Sequence, residues 1–192
     1  NMVTTHDSTY SFDYGNSHFI ALDVPGDISY LTQSQVTWID NDLKAAESRN
    51  ITNAFIFDHG AIYSMGGAHN DCGTVRLCNT NDDYGLVSVL NKHPIFAAGF
   101  HGHEHLFGYA LIDNTRIAAV TNPFYEIIDG NAGGDNRLCD ANRCDYSASG
   151  HGITYVKVNG SQITVEWHNN GDAAATNSIT FSNAGNIVVA CT

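Results

Sequence analysis

Short apolar runs and alternating stretches dominate the chain, and only one long segment repeats with helical spacing. Tyr10, Phe12 and Tyr14 alternate with polar residues, Gly15-Asn16 punctuates, and His18-Phe19-Ile20-Ala21-Leu22 is nearly all apolar. This predicts a hairpin whose second strand is buried. From Thr32 to Ala46, Val36, Ile39, Leu43 and Ala46 recur on one helical face, and Thr32 with Gln35 forms a capping box. A strand is expected at Ala54-Phe55-Ile56-Phe57, running directly into Asp58-His59-Gly60. Residues 65–83 lack periodicity and read as a long loop, Tyr84 to Asn91 as a short helix, and Pro94-Ile95-Phe96-Ala97-Ala98 as a second buried strand.

Beyond that strand the pattern changes to hairpins. Tyr109–Ile112 and Arg116–Val120 flank Asp113-Asn114-Thr115, residues 129–152 form a second long loop, and Ile153–Val158 pairs with Gln162–Trp167 across Asn159-Gly160. Ser178–Phe181 and Ile187–Ala190 are expected as a closing strand pair. The whole reads as one mixed α/β domain, residues 1–192, that ends in antiparallel hairpins.

The second buried strand empties into Gly99-Phe100-His101-Gly102-His103-Glu104-His105. Strand alternation would send side chains to opposite faces, so His103 and His105 can converge only if the chain bends, which Gly99 and Gly102 permit. A lone histidine is more often a solvated loop residue; three within five residues, behind a buried-type strand, point to a metal site. His59 repeats the strand-to-histidine arrangement. His18, between a turn and an apolar run, reads as structural.

Charge and cysteine usage narrow the setting. Eight Lys and Arg against 20 Asp and Glu give a formal charge of -12, which repels polyanions and leaves no basic stripe to follow a nucleic-acid backbone. No apolar run has the length of a membrane span, and Asn1 opens the chain without a signal-type segment, as in a mature or cut chain. Five cysteines in an acidic, Asn- and Gly-rich chain suggest an extracellular, secreted or periplasmic protein. Cys72 with Cys78 and Cys139 with Cys144 would close small disulfide loops, leaving Cys191 for a partner elsewhere. Asn50-Ile51-Thr52 and Asn159-Gly160-Ser161 match the glycan acceptor pattern. Asp129, Asn131 and Asp135 have some of the spacing of a calcium loop but lack its closing bidentate Glu.

Four blocks, taken in order, carry a family resemblance: Tyr10 to Leu22-Asp23; Gln35-Val36-Thr37-Trp38-Ile39-Asp40-Asn41-Asp42-Leu43; Phe57-Asp58-His59-Gly60-Ala61-Ile62-Tyr63-Ser64; and Gly102-His103-Glu104-His105. Together they resemble calcineurin-like metallophosphoesterases, in texture the purple-acid-phosphatase branch. The resemblance implies a β-sandwich flanked by helices, with two metal ions at the strand ends. His59 and His103 would hold one ion and His105 the other; Zn, Mn and Fe are all compatible. Such a pair clamps a phosphoester and activates water for in-line attack. His101 is either a phosphate contact or a solvated loop residue.

The departure from that family lies upstream. Its Asp-x-His, Gly-Asp-x-x-Asp and Gly-Asn-His-Asp/Glu motifs, which supply the bridging carboxylate and further ligands, do not occur in this sequence. The chain matches the C-terminal half of the fold, with Asp58 or Glu104 as the nearest assisting carboxylates. Two functions follow as expectations. One is hydrolysis of phosphoesters, completed by an upstream segment or second chain that Cys191 could tether. The other is an inactive extracellular structural or binding protein, an assembly subunit, built on the same half fold.

Overall fold

A computed structural model describes residues 8–23, 31–66, 85–140 and 142–183. Among these residues, ten strands and two helices follow the order β1 (Tyr10–Tyr14), β2 (Ser17–Ala21), α1 (Gln33–Ser48), β3 (Asn53–Asp58), α2 (Leu86–Leu90), β4 (Phe96–His101), β5 (Phe107–Ile112), β6 (Phe124–Asp129), β7 (Tyr146–Ala148), β8 (Gly152–Asn159), β9 (Gln162–Asn169) and β10 (Asn177–Ser182).

The first seven strands form one sheet in the order β1-β2-β3-β4-β6-β5-β7, and β10-β9-β8 form a second. At the centre of the large sheet, β2, β3, β4 and β6 run parallel, while β1, β5 and β7 pair antiparallel at its margins. Parallel strands need crossovers, and α1 provides one between β2 and β3. Its N-cap, Thr32, accepts from the Gln35 amide while the Gln35 side chain reaches back to the Thr32 amide, so the expected capping box is present.

Each face of the large sheet has its own core. Ile39 and Leu43 of α1 and the apolar residues of α2 pack on Ile20, Ile56, Phe96, Phe124 and Ile128. On the opposite face, Phe55, Phe107, Tyr125 and Ile127 meet Ile163, Val165, Trp167, Ile179 and Phe181 of the small sheet. Phe107 stacks on Trp167 at 5.0 Å and Tyr125 meets Phe181 at 4.2 Å. The result is the expected β-sandwich with helices outside.

Four expectations differ from the structure, the first being that residues 129–152, expected as one long loop, contain β7, which pairs with β5. Arg116–Val120 is a turn region, not a strand, because Asp113 Oδ1 accepts from the Thr115 amide and hydroxyl and the Asp113 carbonyl accepts from the amides of Arg116 and Ile117. Ile117 and Val120 then bury together three residues apart. The true partner of β5 is β6, an apolar strand interrupted by Glu126 that the sequence pattern did not reveal. Gly99 lies within β4, so the bend begins at Gly102, and His103 itself takes the left-handed conformation at φ 61°. Cys139 and Cys144 are disulfide-bonded. Cys72, Cys78, Cys191 and the expected strand Ile187–Ala190 lie outside the described residues.

Candidate metal centre

Ligand sites on parallel sheets gather beyond the carboxyl ends of the strands. There, β3 ends at Asp58 and delivers His59, and β4 ends at His101 and delivers His103. The two loops are joined by a bond from the Gly102 amide to the His59 carbonyl at 3.2 Å. His59 Nε2 and His103 Nδ1 consequently face each other at 3.1 Å, with ring planes at 78°.

That spacing suits a shared ion. Two nitrogens each about 2.0–2.1 Å from one tetrahedral metal are about 3.3 Å apart. His105 is two residues further on, and its ring packs so closely on Gly134 that a Cβ there would stand 2.8 Å from it. Gly130 also allows close passage, since a Cβ would come within 3.2–3.3 Å of the backbone of Gly102, Glu104 and His105. These two glycines after β6 let its loop close over the histidine turn.

His101 occupies a different environment from its neighbours. Its side chain has no exposed surface, and its ring nitrogens turn to two carboxylates, Nδ1 to Asp58 Oδ1 and Nε2 to Glu126 Oε1 at 3.4 Å. Burial alone would favour the neutral ring, but the charges of Glu126 and Asp58 outweigh it and push the pKa up to about 10. The ring is therefore sealed between two carboxylates, with no side-chain surface open to a phosphate.

The assisting carboxylates are likewise committed. Asp58 faces His101, and Glu104 Oε2 accepts the Met65 amide at 2.8 Å. Burial raises the Glu104 pKa against the hydrogen bonds from Ser64 and Met65. Glu126 Oε1 accepts the amides of Ile62 and Tyr63 at 2.7 and 3.2 Å. Arg143 adds a bond to the Ser64 carbonyl at 2.8 Å and lies 5.2 Å from the centre of the Tyr63 ring. The segment carrying His59 is thus pinned from three sides.

Of the calcium-loop residues, Asn131 is buried, Asp129 is raised in pKa by burial, and Asp135 is an exposed partner of Arg137. Among the described residues no group of three or more His, Cys, Asp and Glu side chains is arranged to hold a metal. Sequence reasoning missed Glu126. A charged residue inside Phe124-Tyr125-Glu126-Ile127-Ile128 was the available signal, because a buried carboxylate requires a partner.

No family model matches the chain. The mouse protein named acid phosphatase type 7 is 27% identical over 148 residues, covering 67% of this chain and 34% of that protein. Among solved structures, a purple acid phosphatase from yellow lupin seeds superposes with a TM-score of 0.67 at 18% identity, over 91% of this chain and 32% of its own. A dimetal phosphatase of Danio rerio gives 0.57 at 12% identity, over 91% and 60%. The anchor protein of the Plasmodium inner membrane complex gives 0.63 at 13% identity, over 91% and 53%. The chain has a metallophosphoesterase-like fold. Within that class its similarity is to purple acid phosphatase and acid phosphatase type 7, and it spans about a third of the length of the mouse relative.

Proposed function

We propose that this chain is the C-terminal portion of a phosphoester hydrolase whose metal site is completed by a polypeptide segment upstream of Asn1. The observation that carries this reading is the 3.1 Å approach of His59 Nε2 and His103 Nδ1 beyond the ends of two parallel strands. The donor set fits a divalent ion such as Zn, Mn or Fe. When bound, ions of this kind polarise a phosphoryl oxygen and acidify water near neutral pH. His59 and His103 would hold one ion and His105 the second. The backbone bond between the two loops keeps the first two imidazoles facing one another.

An exposed aromatic row on the large sheet is a further observation behind this reading. Phe12 opposes and stacks on Phe19, and Phe57 stacks on Phe100, all on the face that carries the small sheet. The small sheet covers Tyr125 and Phe107, yet Phe12 is 51% and Phe57 37% exposed. A strand-bearing segment laid over that aromatic row would bury it and stand beside His59. The Cys139–Cys144 disulfide supports an extracellular or periplasmic location. Among the described residues no helix is long and apolar enough to cross a membrane.

A second reading is favoured by a specific likeness. The Plasmodium neighbour is an anchor within an assembly, and the carboxylates nearest the histidines in this chain, Asp58 and Glu104, are already engaged by His101 and the Met65 amide. The two readings separate on one experiment. In the whole protein as purified, His59→Ala and His103→Ala are expected to lower bound metal and the rate of hydrolysis of a model phosphoester together. Unchanged metal content and rate would exclude the hydrolase.

A further inference from the structure

Asp58, His101 and Glu126 end or occupy three neighbouring strands on the helix-covered side of the large sheet. Asp58 pairs in register with His101, and Glu126 with Gly99. Their side chains are at most 1% exposed. Gly99 makes room for them, since a Cβ at that position would stand 2.3 Å from His101 Nε2 and 3.1 Å from Glu126 Oε2. Glu126 also accepts the two amides that anchor residues 62–63. The array therefore connects the residue before His59, the residue before Gly102-His103, and the loop beyond His59.

We infer that Asp58, His101 and Glu126 form a brace that fixes the spacing of the His59 and His103 rings, with His101 a positioning residue acting through both loops. This rests on the reading that His59 and His103 hold a metal ion. A metal ligand is only as well placed as the groups behind it, and loss of such support typically weakens binding about 10–100-fold. A buried imidazole held between two carboxylates is suited to this work. Asp58 is hydrogen-bonded to His101 Nδ1 while Glu126 Oε1 lies 3.4 Å from Nε2, and the array joins three strands at the level where two of them release their histidines.

Zn²⁺ titration of the whole protein by calorimetry tests the brace. Glu126→Gln retains side-chain volume and an acceptor for the Ile62 and Tyr63 amides while removing the charge facing His101. Gly99→Ala displaces the His101 ring instead. Both are expected to weaken Zn²⁺ binding about 10–100-fold. His18→Gln, which breaks a buried histidine contact away from the site, is expected to lower the melting temperature and leave Zn²⁺ affinity unchanged. If Glu126→Gln and Gly99→Ala bind Zn²⁺ within about twofold of the parent while His59→Ala binds far more weakly, the brace is overturned and the metal site stands. If His59→Ala also leaves affinity unchanged, the metal reading is overturned and the brace with it.

Discussion

Among the described residues, two groups of histidines differ in what their ring nitrogens face. His18, His93 and His101 are buried, and each points its two ring nitrogens at two different carboxylates: Asp13 and Asp42, Asp40 and Glu47, Asp58 and Glu126. Carboxylates on opposite edges of a ring cannot converge on one ion, so these are electrostatic ties between elements. His18 joins β1 to α1, and His93 joins the approach to β4 to the same helix. His59 and His103 instead converge nitrogen to nitrogen across the gap between two loops. Under the proposed metal reading, convergence on shared space, rather than histidine number, distinguishes a ligand from a tie.

Substitutions should therefore separate the two kinds by stability and by metal affinity. The largest stability effect is expected at His101→Ala, which leaves Asp58 and Glu126 buried without their counter-charge. Urea unfolding should show a loss of about 3–5 kcal/mol. A loss below about 1 kcal/mol would mean that the array does not hold the strands together.

His18 should give a smaller, pH-dependent effect, because Asp13 and Asp42 keep some solvent exposure. Burial lowers the His18 pKa, but the bonds and charges of Asp42 and Asp13 outweigh it and raise the pKa above 6.5. Its stabilisation is thus complete below about pH 6.5 and is lost as pH rises through the raised folded value. Asp13 has the opposite sense: Arg49 and His18 hold its pKa below 3.8, so its contribution exists above that value and disappears as pH falls through the lowered one. Unfolding curves from about pH 4 to 9 should therefore show stability declining on the alkaline side. In His18→Gln that alkaline decline should become shallower without disappearing, because His101, with its pKa pushed up to about 10, loses stabilisation over the same range; the cost should be about 1 kcal/mol near pH 6. An unchanged slope would remove His18 from the pH response.

The smallest stability effect belongs to His103. At φ 61° a glycine is free of strain, so His103→Gly should leave unfolding within about 0.5 kcal/mol of the parent while weakening Zn²⁺ binding. A large destabilisation would place His103 among the ties instead.

Much of the fold was legible because its signals are local. The Tyr10–Ala21 hairpin, the capped α1 helix, β3, β4 and the Asn159-Gly160 hairpin each carry their own periodicity or turn chemistry. β6 was not legible, since Glu126 breaks an apolar run and its meaning lies 64 residues away at the Ile62 amide. The Arg116–Val120 segment misled for a related reason: its β-branched and apolar residues suit a strand, but Asp113 supplies local hydrogen bonds that turn the chain.

The candidate site divides in the same way. The sequence determined that histidines follow two buried strands, because a residue's place after an apolar run is a property of the chain itself. Only the tertiary structure decided their roles. The parallel pairing of β3 with β4 puts His59 against His103, while the same register puts His101 against Asp58. Adjacent histidines received different chemistry because burial and the position of a charge depend on which strand lies alongside, and that is set by folding.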